Sequence, residues 1–369
     1  MIQGSVIKQR DTIIKPYVFY RDIKALNCSM IKLFDSNPVK FYEAFKLGKK
    51  KDEAKSVALI IGDIVDFYIL DCKGSESEFD NKFDEKFSLY KGDDVKGQVK
   101  VLADELYKIT MRYTVDNKVT VDFDVLFDEA IQEVKNQGKY TNKDKDVILE
   151  DFNKKGLTYY KKLREDTNKT VLDHSLLEKG KSVAKNILHD PFTADIFHET
   201  EHIEYFTKFP IEWKYTCKSG NVYDCKSELD MLVIDHEKKI IYPKDLKTTY
   251  DNENFESNYL RMRYDLQAAF YHIALKYWVQ EEGMTDYSIL PMEFIVGDTS
   301  INNRRPIRYR LGVIDLQKAM AGYTIENYKY NGIISLIEAI DWAESTGNWN
   351  VSMSVYNNKG IIPLSLNYE

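Results

Sequence analysis

The sequence predicts an α/β (α+β) fold in which a core of strands is flanked by helices and carries a helical insertion. Three observations predict it. Helical periodicity fills most of the first half, turn-punctuated strands replace it between Phe209 and Thr249, and helices then return around further strands. At 369 residues the chain is long enough for one large domain or two modest ones. Hydrophobic residues make up 43% and charged residues 30%, a balance that supports a substantial core.

Asn27-Cys28-Ser29 suits the start of a helix running to Phe45. Ser56 to Leu70 makes a second, mostly buried helix, whose Asp63 and Asp66 lie three apart on one face of an apolar segment. These form an N-terminal helical part, residues 1–72. In residues 73–185, helix-like stretches (Val99 to Arg112, Phe123 to Gln137, Val147 to Arg164) alternate with charged connectors such as Tyr140 to Asp146. That is the pattern of a helical insertion with solvated faces. Residues 186–369 hold the sheet. Ile211 to Cys217 and Val222 to Ile234 flank the turn Lys218-Ser219-Gly220-Asn221, and Ile240 to Lys247 follows as a third antiparallel strand. Pro243 points to an edge strand or a bulge. A helix over Tyr259 to Gln280, strands at Met292 to Val296 and Ile307 to Ile314, and helices at Asp315 to Tyr328 and Ile333 to Glu344 complete the order.

No apolar run approaches the roughly 18 residues of a membrane span, and Met1 to Lys15 lacks the apolar stretch of a secretory signal. Cys28, Cys72, Cys217 and Cys225 form no C-x-x-C pair, which argues against a zinc ribbon and for a reducing, cytoplasmic setting. The net charge of −7 argues against coating nucleic acid by bulk charge, but leaves room for a local basic groove. Only 10 Arg stand against 42 Lys, and six of the ten fall between Arg261 and Arg310. Because arginine presents a planar fork to phosphate, Arg261, Arg263, Arg304 and Arg305 are candidate DNA contacts. The plainer alternative is an accident of composition.

The informative chemistry lies in Ser227-Glu228-Leu229-Asp230 and in Pro243-Lys244-Asp245-Leu246-Lys247-Thr248-Thr249. Asp245 and Lys247 share a face of their strand. A hairpin turning at Glu237-Lys238 sets Asp230 directly opposite Asp245, with Cβ atoms about 4.5–5.5 Å apart. Two like charges in strands of Leu, Met, Val and Ile need compensation. A hard divalent cation held by carboxylates and a backbone carbonyl supplies it, and Lys247 is then a candidate to orient or deprotonate water. The alternative is a solvated Asp245–Lys247 ion pair. On the next helix Gln267 and Tyr271 are four apart, with Arg263 one turn earlier, forming a polar edge beside Met262, Leu266, Phe270, Ile273 and Tyr277. Glu212 is a weaker candidate, brought near Glu228 by the turn at Ser219-Gly220.

The order Glu228-Leu229-Asp230, then Pro243 to Thr249, then Arg263 to Tyr271 resembles the PD-(D/E)XK nuclease superfamily. Within it the run is similar to the RecB-like branch, with its D-x-K-T strand and Q-x-x-x-Y helix, and to phage and prophage exonucleases of the exonuclease VIII (RecE) type. The likeness extends to Asn27-Cys28-Ser29 with Ser36-Asn37-Pro38, and to Ala58 to Leu70, which is similar to the family's G-x-x-x-H helix. It extends also to Glu212 to Cys225, Ile307 to Tyr323, and Gly347-Asn348-Trp349 followed by Pro363. The resemblance implies a restriction-endonuclease-like core. It implies that Asp230, Asp245 and the Leu246 carbonyl hold Mg2+, with Mn2+ able to substitute. Lys247 would be the catalytic lysine, and Gln267 and Tyr271 would organise the site and touch DNA. Asp66 stands where the family usually has histidine, either as an oxygen ligand to the same ion or as a decayed position. With no cysteine beyond Cys225, no iron–sulfur cluster is expected. The implied activity is a metal-dependent exonuclease on linear duplex DNA, feeding a single-strand annealing protein. A ring-like homo-oligomer in a bacterial host's cytoplasm goes with that reading. The alternatives are an endonuclease or repair nuclease of the same fold, or a catalytically inactive DNA-binding scaffold.

Overall fold

Alternation of apolar side chains to two faces organises the molecule around one mixed sheet. The computed structural model describes residues 25–49, 56–92, 95–116, 118–326 and 328–361, so Met1 to Lys15 and Pro363 lie outside the described residues. The sheet consists of β1 (Ile203–Thr216), β2 (Val222–Asp235), β3 (Ile240–Thr249), β4 (Glu293–Asp298) and β5 (Ile307–Arg310). Their order is β5-β4-β3-β2-β1, and a short strand, Ser288–Ile289, also pairs with β3. β1, β2 and β3 form the expected antiparallel meander. β3 and β4 are parallel, which requires the crossover that α4 (Phe255–Arg261) and α5 (Tyr264–Glu281) provide.

Consecutive residues Met231 and Leu232 enter different cores, as the period of a strand demands. On one face Leu232, Ile234 and Ile241 pack with α1 (Cys28–Ser36), α5, α6 (Val313–Ala321) and α7 (Ile333–Thr346), through Ile31, Phe270, Leu316 and Ile337. On the other, Met231, Leu246 and Ile295 pack with α2 (Val57–Asp66) and α3 (His174–His189), through Ile64, Val183 and Ile187. The α2–α3 contact depends on a glycine. A Cβ added at Gly180 would stand 2.5 Å from Ile64 Cγ2, far inside a normal contact.

The helical stretch expected at 73–185 divides between two cores. Leu102, Leu106, Phe127, Ile131, Ile148 and Phe152 belong to a separate cluster, whereas Phe79, Phe87 and α3 pack beside the sheet. The chain enters and leaves the separate unit side by side, as a parallel ladder of Phe87–Leu89 with Thr170–Leu172.

Several elements differ from expectation for local reasons. The first helix breaks at Asn37, whose extended backbone precedes Pro38 and whose side chain accepts from Lys40 N at 2.9 Å. The expected helix Tyr259 to Gln280 is two helices, parted at Arg263 in the left-handed region (φ 51°). Asp315 to Tyr328 is not one helix. α6 ends at Gly322 (φ 99°), and Gly322–Ile325 then pairs with Tyr328–Asn331, the Tyr323 and Tyr330 rings stacking at 4.9 Å. Pro243 lies in a central strand rather than at an edge. Ile241 O accepts from Leu290 N at 3.0 Å, so Pro243, two residues on, turns its missing donor the same way. There it falls between the pairs Ile241–Ile289 and Lys244–Glu293, where no ladder bond is lost.

Candidate active site

The ladder between β2 and β3 runs from Asp235–Ile240 to Met231–Lys244 and then opens. Asp230 and Asp245 are the next step of this register. At that step the Leu246 N–H donates to Asp230 Oδ2 at 2.9 Å, so a side chain stands in for a backbone partner. Beyond Lys244, β3 continues on β4 alone as far as Thr249–Asp298. Two strands thus part at the carboxylates and leave a notch between them.

Strand period turns Asp245 and Lys247 toward α5. Gln267 Nε2 donates to Asp245 Oδ1 at 2.7 Å. The Lys247 ammonium donates to Asp245 Oδ2 and, at 3.1 Å, to the Leu246 carbonyl. Asp66, at the end of α2 on the other face, is near enough for Lys247 and Asp245 to act on its charge. Burial pushes its carboxyl up to about 6, against the pull of Lys247, Lys208 and Lys86. Burial, and then the charge of Asp245, raise Asp230 well above the ordinary carboxylate range. For Lys247 burial acts downward, but Asp245 and Asp230 more than offset it and hold the amine above its usual value. The two carboxylates favour the charged form of Lys247, which suits it to orientation and charge stabilisation.

Among the described residues, no three His, Cys, Asp or Glu side chains stand together as a ready ion cage. The donors nevertheless fit a hard cation in kind. Asp66, Asp230 and Asp245 offer carboxylate oxygens, Leu246 a carbonyl, and burial makes the charged forms of Asp66 and Asp230 costly unless something compensates them. Cys28 lies close enough to feel Asp245 and Lys247, and burial pushes its thiol up to about 11.

Lys32 is the residue that sequence reasoning misses. From α1 its ammonium lies 4.9 Å from the Tyr264 ring centre, the same distance as Lys247. It feels Lys247 and Asp245, yet among the described residues it has no carboxylate partner or hydrogen bond. No spacing in the sequence links residue 32 to residue 264. A second half-buried amine at the notch, with no counter-ion among the described residues although burial disfavours its charge, suits a substrate phosphate.

The arginines do not form a free basic patch. Arg263 is bound to Asp35, to Asp265 at 3.1 Å and to Asn331 O at 2.6 Å, and its guanidinium lies 5.4 Å from the Tyr330 ring centre. Arg304 sits among Asp251 at 2.9 Å, Asp298 at 3.7 Å and Glu253 at 3.8 Å. Arg305 approaches Asp190 at 3.6 Å and stacks 4.8 Å from the Phe192 ring centre. Arg261 donates to Asn258 Oδ1 at 2.6 Å. Tyr271 is half-buried where two apolar clusters meet, and Glu212 is exposed opposite Lys226, away from the notch.

The left-handed backbone of Arg263, a conformation costing about 1–2 kcal/mol for an L-residue, is therefore held by its own side chain. Arg263→Ala is expected to lower stability by about 1–3 kcal/mol, since buried Asp265 loses its guanidinium partner and keeps only Tyr323. Urea unfolding checks this, with DNA affinity against salt as the contrast. A normal midpoint with a flattened salt slope would return Arg263 to the DNA surface. Comparison with protein-family models and with curated proteins finds no match to this chain.

Proposed function

We propose that this protein is a divalent-metal-dependent deoxyribonuclease of the PD-(D/E)XK type, hydrolysing linear duplex DNA as an exonuclease. The observation that carries the reading is the notch. Asp230 and Asp245 come side by side where β2 and β3 part, with Lys247 and Gln267 bonded to Asp245 and Asp66 closing from the opposite face. A bound Mg2+ or Mn2+ supplies Lewis acidity toward a phosphoryl oxygen. Asp230, Asp245, Asp66 and the Leu246 carbonyl are the groups that would hold it. Lys247 stabilises charge that develops on the phosphate, Gln267 fixes the Asp245 carboxylate, and Lys32 draws the phosphate into the notch. All of these groups are present, which favours an enzyme over an inactive scaffold. A single-strand annealing partner, a ring-like oligomer and a cytoplasmic setting rest on the sequence resemblance. Among the described residues no helix is long and apolar enough to cross a membrane.

The test is digestion of linear and closed circular duplex with and without magnesium. Magnesium-dependent loss of the linear form alone is the expected result. Cleavage of the circle indicates an endonuclease, and DNA binding with no cleavage indicates the scaffold. Asp66 gives a sharper version. Asp66→Ala is expected to lose most activity at millimolar magnesium, and Asp66→His to retain part of it with preference shifted toward manganese. Wild-type cleavage by Asp66→Ala at limiting magnesium would remove Asp66 from the site.

A further inference from the structure

A cavity of about 330 Å³ lies between α4, β5 and the Gly322–Asn331 hairpin, walled by Phe255, Tyr259, Tyr309 and Tyr323. Its rings are fixed before any ligand arrives. Phe255 and Tyr309 are 5.1 Å apart, Tyr309 donates to Asn252 O at 2.6 Å, and Tyr323 donates to Asp265 Oδ2 at 3.0 Å. Tyr259 differs. Its hydroxyl has no hydrogen-bond partner among the described residues, although Asp265, Tyr323 and Asp315 are close enough to act on it. The cavity is separated from the notch by two packed rings. Lys247 sits 4.9 Å from the Tyr264 ring centre, and Tyr264 stacks on Phe255 at 5.7 Å and 16°.

We propose that this cavity takes one unpaired nucleobase of the DNA substrate, stacked on its tyrosine walls with the Tyr259 hydroxyl bonded to the base edge. The inference rests on the nuclease reading for the identity of the substrate. The volume falls at the low end of the roughly 300–1,000 Å³ range of ligand pockets, which suits one ring system rather than a base pair. Aromatic walls hold any base by its π-face without selecting sequence. A hydroxyl that both donates and accepts adds an edge contact that any base can satisfy. Glu256 and Asp315, with buried Asp265 behind them, against Arg310 and Lys318, keep a phosphate out of the cavity itself. The base enters and its backbone remains outside.

The test titrates the protein with 2-aminopurine deoxyriboside alone. It then uses duplexes with frayed ends carrying 2-aminopurine at successive positions, with calcium in place of magnesium. Two variants accompany wild type. Tyr259→Phe removes one hydroxyl, and Ile325→Trp fills the cavity from an exposed rim position. Wild type is expected to quench the free nucleoside, and the DNA probe at one position near the end. Ile325→Trp should abolish the quenching and weaken nucleoside binding at least about tenfold, and Tyr259→Phe should weaken it about three- to tenfold. Absent quenching, or equal quenching by wild type and Ile325→Trp, overturns the proposal. The nucleoside arm needs no metal and no cleavage. Digestion of linear duplex without quenching therefore overturns the cavity alone, and quenching without digestion upholds the cavity and overturns the nuclease reading.

Discussion

Asp245→Asn and Lys247→Ala are each expected to slow cleavage of linear duplex by about 10²–10³-fold or more, the usual cost of removing one group that stabilises transition-state charge. Asp245 is fully buried, and both of its oxygens are in use, by Gln267 at 2.7 Å and by Lys247. Asparagine keeps the volume and one acceptor, and Gln267 can turn its amide oxygen toward the new NH2 group, so the fold can adapt. What it removes is the charge that Lys247 and an incoming cation would both face. Lys247→Ala deletes the ammonium that offsets Asp230 and Asp245, so its carboxylates are left to repel one another across the notch. Single-turnover cleavage, read beside a melting curve, separates the effects. Activity within about tenfold of wild type in either variant would sink the assignment.

Glu293→Gln is expected to cost about 3 kcal/mol of stability at neutral pH, on the order of the loss from breaking a buried ion pair. Glu293 is buried on the face of β4 away from α5, where Lys244 approaches at 3.0 Å and Arg308 and Arg310 each at 2.6 Å. Arg308 also reaches Asp195 at 3.0 Å. Burial favours the neutral acid, yet Lys244 and the two guanidinium groups hold the Glu293 carboxyl at about 2, below an ordinary 4.5. A depressed carboxyl contributes its full stability above about 4.5 and loses it as pH falls toward 2. Urea unfolding of wild type and Glu293→Gln at pH 7 and pH 3 therefore gives a difference that shrinks by about half or more at the lower pH. A constant difference would mean the carboxylate's charge is not what holds these strands. Lys244 lies between Pro243 and Asp245, so this network anchors the reverse side of the strand that bears the site.

The hairpin register was legible because side-chain period and a short polar turn leave one pairing that keeps Leu232 and Ile234 in the core. Gln267 was legible because its helix is long and its neighbours define an apolar face. Local chain direction was harder. Nothing in the residues from Asp315 to Tyr328 announces a helix followed by a hairpin except Gly322, whose positive φ only the fold reveals. Long-range charge was hardest of all. The arginines read as phosphate contacts, but Asp35 and Asp251 come from distant parts of the chain to pair with Arg263 and Arg304. Lys32 went unread for the opposite reason, because only the folded chain sets it beside Tyr264 with no partner among the described residues.

The bond from the Leu246 amide to Asp230 ties heredity to chemistry. A carboxylate that only held a cation could drift to alanine in an unselected lineage and leave the scaffold untouched. This one also satisfies a main-chain donor where two strands separate, and an orphaned buried amide costs about 1–3 kcal/mol. Mutational decay at position 230 would be punished in the folding of the chain itself. Asparagine, which can still accept from the amide, is the quiet exit: a descendant that abandoned its chemistry would be expected to carry Asn there, and to retain the sheet unaltered.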